Sequence, residues 1–174
     1  MSFSNHQIQS ASLPSISDIT FEKLDPSYRK ISVITSCIFC LVILIVYLFV
    51  GYFIDILYQW PWILVFALGW SVLTSLIIIL AIKGYTYEGF AIREKDILYQ
   101  SGIFFKSVVI IPFNRVQHCE IEQGPVDRMF GLSSLSIFTA GGSSSDLNIP
   151  GLAHDKANQL KQFITNQVAR DEEE

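Results

Sequence analysis

Hydrophobic and polar positions divide the chain into three zones. Up to about residue 27, Ser, Asn, Gln and two prolines are mixed with isolated apolar residues, and no helical or alternating period persists. This predicts a flexible tail over residues 1–28. The pattern then changes abruptly. Residues 31–54 read ISVITSCIFCLVILIVYLFVGYFI without a charge, and at 1.5 Å per residue such a helix is about 36 Å long, enough for a hydrocarbon core of about 30 Å. Residues 62–82, WILVFALGWSVLTSLIIILAI, form a second run that stops at Lys83. The seven residues 55–61 between them are too few for anything but an antiparallel hairpin. Residues 29–83 are thus predicted to be a transmembrane unit.

Arg29 and Lys30 precede the first run and Lys83 follows the second, whereas the connection carries no Lys or Arg. Because cytoplasmic flanks hold the excess of basic residues, both termini are expected in the cytoplasm. Tyr52, Tyr58, Trp60 and Trp62 gather at the outer turn, and Tyr28, Tyr85 and Tyr87 at the inner one, the interfacial placement that aromatic rings favour. Small residues recur every fourth position, as Ser32, Ser36 and Cys40 in one run and Ala67, Ser71 and Ser75 in the other. Such stripes permit close packing within the hairpin or between copies, although lipid-facing helices also show them by chance.

After Lys83 the period becomes that of short strands separated by turn residues. Strands are predicted at 85–92, 97–101 and 106–111. The last of these, KSVVII, is apolar on both faces and therefore reads as central. Pro112 caps it, having no N–H to give to a ladder. Residues 116–123 alternate, which sends Gln117, Cys119, Ile121 and Gln123 to one face and Val116, His118, Glu120 and Glu122 to the other. Gly124 and Pro125 break that strand. A single helical turn at 127–132 closes at Gly131, a strand follows at 135–139, and residues 141–145 form a hairpin loop leading to a strand at 147–149. From 154 to 170, Ala157, Leu160, Phe163, Ile164 and Val168 recur at helical spacing. Residues 171–174 are an acidic, solvated tail. Six or more strands and one amphipathic helix describe a bent sheet that the helix closes, over residues 84–170.

Composition sharpens this division. An apolar content of 51% is high for a soluble domain of 174 residues, and the excess lies before residue 83. The net charge of −4 falls entirely in residues 84–174, which hold eight Lys/Arg against twelve Asp/Glu. A nucleic-acid partner therefore has no electrostatic footprint. Cys37 and Cys40 form a Cys-x-x-Cys inside an apolar run, where a thiolate is strongly disfavoured, so redox or metal use is not expected.

His118, Cys119 and Glu120 are the one cluster of reactive side chains. Neighbours in a strand face opposite ways, so His118 and Cys119 cannot form a dyad, and only His154 could supply a base to the thiol. Cys119 reads as a small core residue, with a cysteine-dependent hydrolase as the minor alternative. His118 and Glu120 offer at most two metal ligands. The run Gly141-Gly142-Ser143-Ser144-Ser145 lacks the Gly-Lys-Ser/Thr ending and following helix of a phosphate cradle and reads as a hairpin tip.

The stretch IPFNRVQHCEIEQGPVDRMFGLSSLSIFTAGG, residues 111–142, carries a family pattern: a strand-closing proline, Arg-Val-Gln, a strand to Gly-Pro, an Arg, a Phe-Gly-Leu turn and a strand ending Thr-Ala-Gly. It resembles the second class of bacterial pleckstrin-homology-like (PH-like) domains, found in YdbS/YdbT-like membrane proteins. The two apolar runs in front of it fit the same family. The resemblance implies an α+β membrane protein: a transmembrane hairpin followed by a PH-like bent sheet or barrel that a C-terminal helix closes. Pro112, Gly124, Gly131 and Gly141 are its structural signature. Arg115, Gln117 and Arg128 are candidates for ligand or partner contact, and the structural alternative for the arginines is pairing with Glu120, Glu122 or Asp127, or bonding to loop carbonyls. Phosphoinositide recognition needs several cations in the loop between the first strands, where this chain has Arg93-Glu94-Lys95-Asp96, and the closing helix lacks a Trp. The expected function is that of a non-enzymatic scaffold or interaction module at the bacterial inner membrane, without cofactor or metal, whose partners are the bilayer and either a membrane protein or further copies of itself. A lipid or small-molecule sensor built on the same domain is the alternative.

Overall fold

A computed structural model describes residues 19–54, 59–140 and 146–173. The expectations for Asp55 and Tyr58 of the connection, the loop at 141–145 with Gly141, residues 1–18 of the tail and residue 174 lie outside the described residues.

Two helices of 28 residues, α1 (Pro26–Phe53) and α2 (Trp60–Tyr87), form the hairpin. Asp25 caps α1 by accepting from the Ser27 N–H at 2.8 Å, and Pro26, which needs no acceptor, occupies the first position. Only Ile31, Cys40 and Gly51 of α1 are buried by protein, and no residue of α2 is, so both helices turn an apolar surface outward. Both are long and apolar enough to cross a membrane. They meet through Tyr47 stacked on Phe66 at 3.5 Å and through the Trp70 indole N–H, which donates to the Cys40 carbonyl at 3.3 Å. That bond satisfies a donor that hydrocarbon could not. The Ser32–Ser36–Cys40 stripe is partly or fully covered, whereas Ala67, Ser71 and Ser75 are exposed, so only the first stripe is protected within the hairpin.

Helix α2 does not stop at Lys83. It continues to Tyr87, and the first strand, β1 (Gly89–Ile92), is shorter than the predicted 85–92. Strands β1, β2 (Asp96–Ser101) and β3 (Ser107–Pro112) form one antiparallel sheet in that order. A 3₁₀ turn at Phe113–Arg115 leads to the second sheet, β4 (Val116–Glu122), β5 (Leu132–Thr139) and β6 (Leu147–Ala153), with the short helix α3 (Pro125–Met129) between β4 and β5. Helix α4 (His154–Glu173) closes the domain. Ile97, Tyr99 and Ile111 of the first sheet, Cys119, Leu135, Ile137 and Ile149 of the second, and Ala157, Leu160 and Ile164 of α4 share one core. This is the expected α+β architecture.

Three further expectations are corrected. First, β3 is an edge strand and β2 the central one. Its second apolar face is not covered: Val109 and Ile111 turn to the core, whereas Ile110 is exposed. Second, residues 21–25 are not tail. Glu22 pairs with Phe90 through two backbone bonds of 2.7 and 3.0 Å, the Asp25 N–H donates to the Gly151 carbonyl at 2.9 Å, and Leu24, 2% exposed, belongs to the core. Tyr85 donates to the Leu24 carbonyl at 2.9 Å, and Lys156 pairs with Glu22 at 3.1 Å. Isolated apolar residues in a polar context give no period, so a pairing with a strand nearly seventy positions away is invisible locally. Third, strict alternation in β4 fails at its start. Val116 faces Thr139 and His118 faces Phe138, so Gln117 is an extra residue in a β-bulge. The bulge turns both Val116 and Cys119 inward and leaves Gln117 and His118 exposed.

Candidate functional site

Strand β4 and helix α4 enclose a cleft of about 210 Å³ lined by Gln117, Cys119, Lys161, Ile164 and Thr165 among others. Cys119 is held at its floor because the bulge reverses the pleat. Burial pushes its thiol up to about 11, against the smaller opposite pull of Lys161, so at neutral pH it is protonated and a poor nucleophile. Among the described residues, neither candidate histidine turns to it. His118 stacks on Phe138 on the outer face, 4.3 Å between centroids, with its Nε2 3.6 Å from Glu120. His154, the other candidate base, sits at the start of α4 with its Nδ1 2.8 Å from the hydroxyl of buried Ser133. Seven residues, or about 10 Å of helix, separate His154 from Lys161 over the thiol. No group of three or more His, Cys, Asp or Glu side chains able to hold a metal occurs among the described residues.

Arg115 ends the 3₁₀ turn before β4, and Arg128 lies on α3 beyond its far end. The seven residues of β4 lie between them in the chain. Both are exposed, and neither forms an ion pair among the described residues. Glu120 faces His118 instead, and Asp127 accepts from the Gly124 N–H at 3.2 Å, fixing the entry to α3. Gln117, two residues after Arg115, borders the β4–α4 cleft. The glycine and proline positions play backbone roles. Pro112 ends β3 opposite Asp96, Gly124 precedes α3, and Gly131, one residue beyond the C-cap Phe130, has φ of +68°.

The loop at which a headgroup site would have to form is closed on itself. Arg93 donates to both carboxylate oxygens of Asp96 at 2.6 Å, which neutralises the one arginine of the turn. Cations converge instead where hairpin and domain meet. A cleft of about 580 Å³ lies between Arg29, Lys30, Val33 and Ile34 of α1, Ile82 of α2 and Phe130 after α3. Beside the same junction, Tyr99 donates to Glu88 at 3.3 Å, and burial raises the Glu88 carboxyl above its ordinary value. Sequence reasoning assigned Tyr28 and Tyr85 to the lipid interface. Both pack against the domain core, and the hydroxyl of Tyr85 is spent on Leu24.

An exposed apolar surface also runs along β3 and the turn before it. Ile110 is outward, and Phe104 and Phe105 are 78% and 91% exposed. The signal was two adjacent aromatics in a turn of five residues, a place where water normally selects polar ones.

A family model described as a bacterial PH domain matches residues 31–168, which takes in both spans and the folded domain. The transmembrane protein YdbS of Bacillus subtilis (strain 168) is 33% identical over 144 residues, covering 79% of this chain and 84% of that protein. No solved structure matches the chain. With a family model matched over most of its length and a transmembrane relative 33% identical over 79% of it, the chain belongs to the bacterial PH domain family of membrane proteins.

Proposed function

We propose that this protein is a non-enzymatic scaffold at the bacterial inner membrane, which presents the free edge of β3 to a partner strand on the cytoplasmic side. The observation that carries the reading is that edge. Ser107–Pro112 pairs with β2 on one side only, and Ile110 within it turns outward, away from the core. Natural sheets protect their edges with charge, proline or cover, because an unpaired row of N–H and C=O groups templates another strand. Within the strand itself the only such device is Pro112 at the very end, Lys106 stands just outside it, and no strand among the described residues pairs with its free side. An edge left open and apolar suits strand addition, in which backbone bonds supply affinity and alternate side chains supply selectivity. The protonated Cys119, with His118 and His154 engaged elsewhere among the described residues, supports a packing role over hydrolysis. Arg29, Lys30 and Lys83 at the domain side of the spans support cytoplasmic termini.

The test is complex size. The full chain extracted in mild detergent is expected to migrate as an assembly larger than a detergent-bound monomer, and Ile110→Lys to reduce it to that monomer, while Cys119→Ser leaves it unchanged. A monomeric parent protein would overturn the reading.

A further inference from the structure

The chain path places particular loops at the bilayer. Helix α2 leaves the membrane near Lys83 and delivers the chain to Gly89, from which β1 runs away from the spans. Strand β2 returns antiparallel, so that Gln100 lies opposite Gly89, and the next turn, residues 102–106, comes back beside the end of α2. The contact is direct: Ile103 Cδ1 lies 3.8 Å from where a Cβ on Gly84 would stand, one residue past Lys83. The turn is held tight, since Gly102 has φ of +104° and the Phe105 carbonyl occupies the space its side chain would need. It therefore projects Phe104 and Phe105 as a rigid pair.

The second sheet does the same on another side of the hairpin. Phe130 shares a cleft with Val33, Ile34 and Ile82, which are residues of the spans themselves, and the neighbouring Met129 is 82% exposed. Two independent parts of the domain thus carry large apolar side chains at the level where the spans end.

We propose that the 102–106 turn and the turn after α3 insert Phe104, Phe105 and Met129 into the acyl–headgroup boundary of the adjacent leaflet, as two apolar feet that fix the domain's orientation on the membrane. The occupant is the lipid bilayer itself, because each surface is continuous with a helix already in it. Lys83 and Lys106 flank one foot, and Arg29 and Lys30 the other, where they meet phosphate oxygens. Two or three inserted side chains are too weak an anchor alone, but the spans make their insertion intramolecular. The β1–β2 turn, at the opposite end of the first sheet, stays in water.

The full chain in nanodiscs of phosphatidylglycerol and phosphatidylcholine tests this. A small diazirine-bearing residue replaces Phe105, Met129 or Glu94, and adducts are read by mass after illumination. Lipid adducts at 105 and 129 and their loss at 94 are expected. Water addition or protein adducts at 105 and 129, or equal lipid yield at 94, would overturn the proposal. In the same nanodiscs, amide exchange across 102–106 should accelerate in Phe104→Ser/Phe105→Ser, whose replaced side chains lie outside the core. Unchanged exchange would contradict insertion of that turn.

Discussion

The ring of Tyr28 lies directly over the backbone of Gly151, so closely that a Cβ at Gly151 would run into the Tyr28 Cγ. Gly151 also has φ of +61°, and the Asp25 N–H, three residues before Tyr28, bonds to its carbonyl. The first turn of a membrane helix is thereby locked to strand β6 of the folded domain. Gly151→Ala is expected to destabilise the full chain by about 2 kcal/mol or more, through both the collision and the left-handed backbone. In a Tyr28→Ala background the same change should cost only the backbone part, about 1 kcal/mol. Thermal unfolding of the four proteins measures the coupling, and additive effects would show that the ring is not the obstacle.

Leu24 tests the correction made to the N-terminal segment. As a tail residue its truncation would be silent, but as a core residue, 2% exposed, Leu24→Ala should cost about 2–5 kcal/mol. For the same reason a fragment of residues 84–170, which leaves out Leu24 and the Glu22–Phe90 pairing, should melt lower than the same domain in the intact chain.

Gly131 and Cys119 separate backbone need from chemistry. Nothing lies within 4 Å of a Cβ built on Gly131, so Gly131→Val meets no neighbour and is penalised through φ of +68° alone, by about 1–2 kcal/mol. Cys119→Ser should fold and leave activity in cells intact. A folded but inactive serine variant would bring the hydrolase back.

Glu88 carries a pH dependence. Its carboxyl is raised above the ordinary 4.5 by burial, so the fold favours the protonated form. Stability is then fullest below the ordinary value and declines as pH rises through the raised one. Glu88→Gln keeps an acceptor for Tyr99 and should raise the melting temperature at neutral pH while flattening its dependence on pH. A variant that melts lower at neutral pH and keeps the slope would locate the effect elsewhere.

The parts of this protein that were legible in its sequence are those decided by local pattern. Uncharged runs announced α1 and α2, helical spacing announced α4, and Gly131 announced its positive φ after α3. What stayed hidden depends on distant partners. KSVVII is as apolar as a central strand, and only sheet order shows that one face of it has no cover. The bulge at Gln117 is fixed by the register with β5, not by any residue type in β4. At the site, Arg115 and Arg128 were readable as signature residues, but that neither forms an ion pair among the described residues was not. The junction of Arg29 and Lys30 with Phe130 joins residues a hundred positions apart.

The central claim, that the free edge of β3 is the surface through which this membrane-anchored domain meets a protein, is tested most directly by a photoreactive residue in place of Ile110, illuminated in intact membranes. The account predicts discrete protein adducts from 110, either to a second copy or to one partner, with the crosslinked peptide mapping to an extended segment, and none from the same residue at 94. Adducts to lipid alone, or a yield at 110 no different from that at 94, would contradict it.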